Sequence, residues 1–450
     1  MLQRTIKTGA WSAVAMLTLT AAACGSDDEA CSGAPNNNCA EVDAAVPSGC
    51  TSSAECAAPT AVCDVGGTAT CVACTAGEAS ACTGTTPVCG ADNACGGCTS
   101  HAACAASDVC LPTGACADAA TVAYVAPGGS GTTCTQAAPC NKLGAALMTD
   151  RPYVKMTGTI NDQVTLTNQT VTVLADPGAV LTDTTTGILM KVDGASQVSI
   201  YDLTIQEALG GTNAGLSLQP GNMATVRLER VAVSGHAGAG ITASGGTLTV
   251  TGSTVSGNQG VGITASGGTL TVTGSTVSGN QGGGLDVTGV GTSFEITNNV
   301  ISYNGVATGP AATTLGGGLV APNTPGSRFA WNTVAFNRNS GALSRGGVTC
   351  LGAMVQAPGN IVYGNTEATT TSDATQTGGS CGFGNTLALG SSANNLGFKS
   401  PLTSPFDFHL TATTPTTVLN AGGACTGDDL DGDTRPQGGA CDLGADELVP

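Results

Sequence analysis

Two consecutive stretches of 22 residues, Ile241–Gly262 and Ile263–Gly284, are identical at every position but one, where Val261 stands against Gly283. A unit this short cannot bury a hydrophobic face alone, so it must stack on its copies like a rung of a solenoid. Within it, Thr247-Leu248-Thr249-Val250-Thr251 alternates polar and apolar side chains with period two, the pattern of a strand with one buried face. Ser253–Asn258 then turns at Gly257 and Asn258. Short strands without a helical period fit one coil of a parallel β-helix and are too small for a propeller blade.

The closing phrase of the unit recurs with drift, ending at His236, Asn258, Asn280, Asn304, Asn337 and Asn365, in steps of 22, 22, 24, 33 and 28 residues. Steps of 22 are bare coils, and the longer ones carry insertions such as Val306–Leu315. Less regular coils run earlier, through Val171–Asp176 and Leu203–Ala208. The expected fold is all-β: a right-handed, single-stranded parallel β-helix of about eight coils, each adding about 4.8 Å. Asn258, Asn280, Asn304, Asn337 and Asn365 are expected to form a structural ladder, because Asn tolerates a left-handed turn and bonds to neighbouring peptides. His236 takes the ladder position of its own coil, which weakens it as a catalytic base.

Residues 24–123 hold 15 of the 21 Cys and 11 Asp or Glu, but no aromatic residue, Lys or Arg. Such a segment cannot fold around an apolar core, so cross-links must order it. After Cys31 and Cys39, twelve cysteines form three sets of four: Cys50, Cys56, Cys63, Cys71; Cys74, Cys82, Cys89, Cys95; and Cys98, Cys104, Cys110, Cys116. Each set reads as a module with two disulfides, whose pairing has three alternatives. Cys71-x-x-Cys74 and Cys95-x-x-Cys98 also have zinc-ligand spacing, but the series explains them as module junctions. The region reads as a stalk. Cys134, Cys140, Cys350, Cys381, Cys425 and Cys441 are further disulfide candidates.

Arg4 and Lys7, the apolar run Ala10–Leu19 and the small residues Ala21-Ala22-Ala23 before Cys24 read as an export signal over 1–23. Ala21-Ala22-Ala23-Cys24 resembles the lipobox of bacterial lipoproteins, which implies a lipid on Cys24 and a place at the outer membrane or cell surface. An exported chain with 20 other cysteines favours disulfides over free thiols. A net charge of −18 and only 13 Lys and Arg exclude binding to a nucleic-acid backbone.

The coils, over 124–400 with a small helix near Asn141–Met148 covering the first, resemble the right-handed parallel β-helix family of pectate lyases, polygalacturonases and bacterial surface proteins. The segment 401–450, with Asp429-Leu430-Asp431-Gly432-Asp433, Arg435-Pro436 and Cys441–Glu447, resembles the ending of choice-of-anchor Q surface proteins. The family's enzymes imply an Arg or Lys base, carboxylate-held calcium, or polygalacturonase motifs such as Asn-Thr-Asp and Gly-His-Gly; none of these motifs is present. The most enzyme-like group is Arg227, Glu229 and Arg230, expected near His236 and Lys191. Asp429, Asp431 and Asp433 alternate as calcium ligands do, though a turn closed by Cys425 and Cys441 explains them too. Trp331 is a candidate for stacking on sugars, and Phe336 reads as core filling. The reading favours a structural, adhesive or glycan-binding surface lipoprotein, meeting glycans or surface proteins, without cofactor. The alternative is a polysaccharide lyase or glycosidase on the same fold.

Overall fold

The computed structural model describes residues 49–449, apart from 184–186, 208–213, 222, 290, 307–314, 321–325, 341–344, 352–354, 368–370 and 426. The export signal, Cys24, Cys31 and Cys39 lie outside these. From Val122 onward the chain winds into a parallel β-helix with three walls, sheets of nine, ten and nine strands. Sheet A runs from Val122–Val125 to Arg328–Ala330, sheet B from Thr159–Asn161 to Leu387–Leu389, and sheet C from Val164–Thr167 to Thr377–Gly379. The period-two pattern sends alternate side chains inward, where the coils fill one continuous core with Val, Leu and Ile. The duplicated units pair with a shift of 22 residues, Leu248 on Leu270 and Val250 on Val272. Helix Leu143–Leu147 buries Leu143, Ala146 and Leu147 against the first coil and covers its apolar end.

The one mismatch between the units has a steric cause. Gly283 has φ +125°, and a Cβ there would lie 2.9 Å from the Cβ of Leu315, where the inserted loop of the next coil returns. Val261 meets no such loop and keeps its side chain.

The asparagine ladder is built differently from the expectation. In each turn the left-handed residue is the one before the Asn: Gly257, Gly279, Tyr303, Phe336 and Gly364. The Asn itself points inward and is fully buried. Each main-chain N–H donates to the amide oxygen of the next: Asn258 to Asn280 (3.2 Å), Asn280 to Asn304 (3.1 Å), Asn304 to Asn337 (2.9 Å) and Asn337 to Asn365 (2.9 Å). Each Nδ2 donates to the same oxygen and to a carbonyl of the preceding coil. The ladder begins at His236, whose N–H donates to Asn258, and ends at Gln376, which accepts from Asn365. These amides are buried because every donor finds an acceptor. A second ladder, absent from the sequence reading, runs down the turn between sheets A and B through Ser253, Ser275, Asn299, Asn332 and Asn360.

Among the described residues, each of the three cysteine modules pairs first with third and second with fourth: Cys50–Cys63 and Cys56–Cys71, Cys74–Cys89 and Cys82–Cys95, Cys98–Cys110 and Cys104–Cys116. Those thiols are therefore not zinc ligands. Cys134–Cys140, Cys350–Cys381 and Cys425–Cys441 are also bonded. The third module is not a free bead. Its Val109 and Ala117 pack on Val122, Tyr124, Leu174 and Tyr201, and the Tyr124 hydroxyl donates to the carbonyl of Ser107 at 2.7 Å.

After Leu389 the chain leaves the coils and folds back along the outside of sheet B. It forms a second core there from Phe398, Phe408, Leu410 and Val418 against Val300, Phe336, Ile361 and Tyr363. Two of the three aromatics with left-handed backbones, Tyr303 and Phe336, stack at 5.4 Å, and Phe406 covers Tyr303 at 3.9 Å. Glycine holds the same turn position in the duplicated coils, at Gly257 and Gly279. The strain of a non-glycine left-handed residue is offset here by ring packing.

Candidate functional site

The outer face of sheet A carries rows of hydroxyls in register. Thr247, Thr269 and Ser293 form one row, Thr249 and Thr271 a second, and Thr251 and Thr273 a third that ends at the buried Thr297. The alternation that buries Leu248 and Val250 makes these neighbours face outward. Sheet C continues the theme with Thr242 and Thr264, where the Thr242 hydroxyl donates to the buried Ser217 at 2.8 Å.

One coil earlier, the same outward positions of sheet A hold charge. Arg227 donates to Glu229 at 2.7 Å, Arg230 bonds Asp202 through Nε and Nη2 at 2.7 and 2.9 Å, and Arg230 reaches Glu229 at 2.5 Å. Arg230 itself sits in the left-handed turn position, φ 55°. Hydrogen bonds to Asp202 hold its guanidinium firmly protonated. Sequence reasoning placed His236 and Lys191 beside this group; the structure separates them. His236 is 2% exposed, with Nε2 against the Ile205 carbonyl at 3.2 Å, and burial pushes its pKa down. Lys191 lies on sheet C beside Asp193. Period-two reading puts residues on a face but does not say which wall each coil assigns them to.

The aromatic candidates are also inward or covered. Trp331 is 5% exposed, with the Arg328 guanidinium 4.3 Å from its ring centre, and Phe336 belongs to the second core. Neither offers a free ring face to a sugar.

In the aspartate loop of the closing segment, both carboxylate oxygens of Asp429 are engaged by main-chain N–H groups. Asp429 Oδ1 accepts the N–H groups of Asp431 and Asp433, both at 2.9 Å, and its Oδ2 accepts that of Glu447 at 2.9 Å. Asp431 lies 2.8 Å from His409 Nε2, while His409 Nδ1 lies 2.5 Å from Asp407. The calcium candidates Asp429, Asp431 and Asp433 are thus close together but arranged as a self-closing turn. Burial opposes charge on His409, yet its hydrogen bonds to Asp407 and Asp431, with Asp446 nearby, raise its pKa. Burial pushes the Asp446 carboxyl up to about 6. Arg435, 4% exposed, donates to the carbonyl of Gly444 at 2.9 Å and faces Glu447 at 3.7 Å.

Residues 237–386, about a third of the chain, match the family described as right handed beta helix region. Among solved structures, the crystal structure of pectate lyase Pel9A is similar, at 17% identity and a TM-score of 0.48, over 72% of this chain and 96% of that one. No curated protein matches the chain in sequence. The right-handed parallel β-helix is thus read both from the matched region and from the three-walled coil itself.

Proposed function

We propose that this chain is an exported surface protein, tethered by lipid on Cys24 at the outer membrane or cell surface, whose β-helix walls bind glycans or surface proteins without turning them over. The observation that carries this reading is the registered lattice of Thr and Ser on sheet A. Rows on adjacent strands sit about 4.8 Å apart and offer both donors and acceptors at little cost in side-chain order. The ion pairs support it too: Lys155 with Asp176, Arg227 with Glu229, Arg230 with Asp202 and Arg345 with Glu367 use cations that a lyase would need as a base. Nine disulfides among the described residues suit an oxidising compartment.

The full chain, purified with its disulfides, should bind a subset of an immobilised glycan array and release no new reducing ends or unsaturated products from the bound polysaccharides. Product formation would instead establish the carbohydrate-active reading. In cells, Cys24→Ala should move the protein from the membrane to the soluble fraction; membrane retention would remove the lipid tether.

A further inference from the structure

The third disulfide module does not lie flat on sheet A. Between it and the wall is a cleft of about 960 Å³, at the upper end of the range of small-molecule sites. Its walls are fixed in advance. Cys98–Cys110 and Cys104–Cys116 hold the module, and Val109 packs it on Tyr124 and Tyr201. A preformed cleft loses little entropy when a ligand enters.

The lining is chemically specific. From the module, His101 accepts the N–H of Cys110 on Nδ1 at 3.0 Å. In the neutral ring the proton then sits on Nε2, which is a donor; burial favours this neutral form. Asp108 stands on the same side, and among the described residues it has no ion-pair partner. From the wall come Asp176, Asp202, Glu229 and Arg230. Lys155, buried behind the cleft, pairs with Asp176. With Arg227 on Glu229 counted as well, four carboxylates meet three cations, and Asp108 leaves the cleft negative. Leu111, Pro112 and Pro177 add apolar surface beside the charges.

We propose that this cleft binds an amino-bearing saccharide, with the sugar ammonium at Asp108 and ring hydroxyls at His101, Glu229 and Arg230. Uronates and other anions are disfavoured by the net charge. Interleaved donors, acceptors and small apolar surfaces match a sugar ring, whose hydroxyls and C–H faces alternate. The inference rests on glycan binding as proposed above and locates one site for it.

Calorimetry on the full, oxidised chain tests it with three probes of equal length: glucosamine oligomers, their N-acetylated counterparts, and oligogalacturonate. Glucosamine oligomers should bind best and oligogalacturonate not at all. Asp108 has φ 53°, a backbone that Asn tolerates, so Asp108→Asn should keep the fold while weakening the glucosamine oligomer about tenfold through loss of a charged hydrogen bond. Thr113→Trp at the exposed rim should block binding, with the thermal midpoint unchanged in both variants. Preference for the uronate, or binding that neither variant alters, would overturn the cleft. If array glycans still bind while glucosamine oligomers do not, the cleft fails and the wall reading stands; if nothing binds, both fail.

Discussion

Asn304 shows how much one side chain carries in this fold. Its oxygen accepts from the N–H and the Nδ2 of Asn280, and its own Nδ2 reaches the Val277 carbonyl. Asn304→Ala strands two buried donors and should cost about 3 kcal/mol, read as a lowered midpoint in denaturant unfolding; a change under about 1 kcal/mol would mean that the ladder is not structural. That ladder was legible in the sequence because one residue type recurs at one phase of the repeat. Its mechanism was not, since the sequence does not say whether Asn or its predecessor takes the left-handed turn. The second ladder escaped notice because it changes from Ser253 and Ser275 to Asn299, Asn332 and Asn360 midway. Asp446 makes a second residue-scale prediction. Its carboxyl titrates near 3.8 unfolded and about 6 folded. Between those values the folded chain keeps a proton that the unfolded chain has lost, so this residue makes stability fall as pH rises from about 4 to about 6. His409 acts in the same direction at higher pH, its contribution present below the ordinary imidazole value and lost as pH rises through the raised one. Asp446→Asn should therefore raise the thermal midpoint at neutral pH and flatten its slope across the acidic window; an unchanged slope would refute the assignment.

Single strands contribute little here; the coil is the unit that matters. Removing Ile241–Gly262 joins Gly240 to Ile263 and leaves Gly283 in place against Leu315, so every inward side chain keeps its phase. That deletion should remain folded with a modest loss of stability, as expected for a sum of rung and interface terms. Removing only Thr242–Gly262 shifts the phase by one residue and turns Leu270 and Val272 outward. Thermal unfolding of the two proteins should separate them clearly, and equal damage would sink the coil register. The coils were legible because each buries its own period-two stripe. The docking of the closing segment was not, because Phe406 and Phe408 meet Tyr303 and Phe336 only after the chain has reversed along sheet B. The substitution of Gly257 and Gly279 by Tyr303 and Phe336 at the same turn position was the available signal. Likewise, the flank of Arg227, Glu229 and Arg230 was found as a group, but its neighbours proved to be Asp202 and the third module.

The whole molecule divides by what chiefly holds it together: cross-links before Val122, and after it a continuous apolar core to which three disulfides are added. Mild reduction should open the modules, each losing about 2–4 kcal/mol per disulfide, while the coils persist on their own core. Proteolysis after reduction should then cut within residues 49–116 and leave a resistant fragment beginning near Val122, identified by mass. Simultaneous loss of both parts would contradict the division. The paired loops also determine how the molecule carries load. A pull on the chain before Cys50 would meet modules whose interlocked disulfides limit how far their chain can pay out, so the segment before the coils would behave as a stiff strap. Because the last module is packed on Tyr124 and Tyr201, that tension would pass into the flank of the first coils as shear across their stacked strands rather than peel the coils apart one by one.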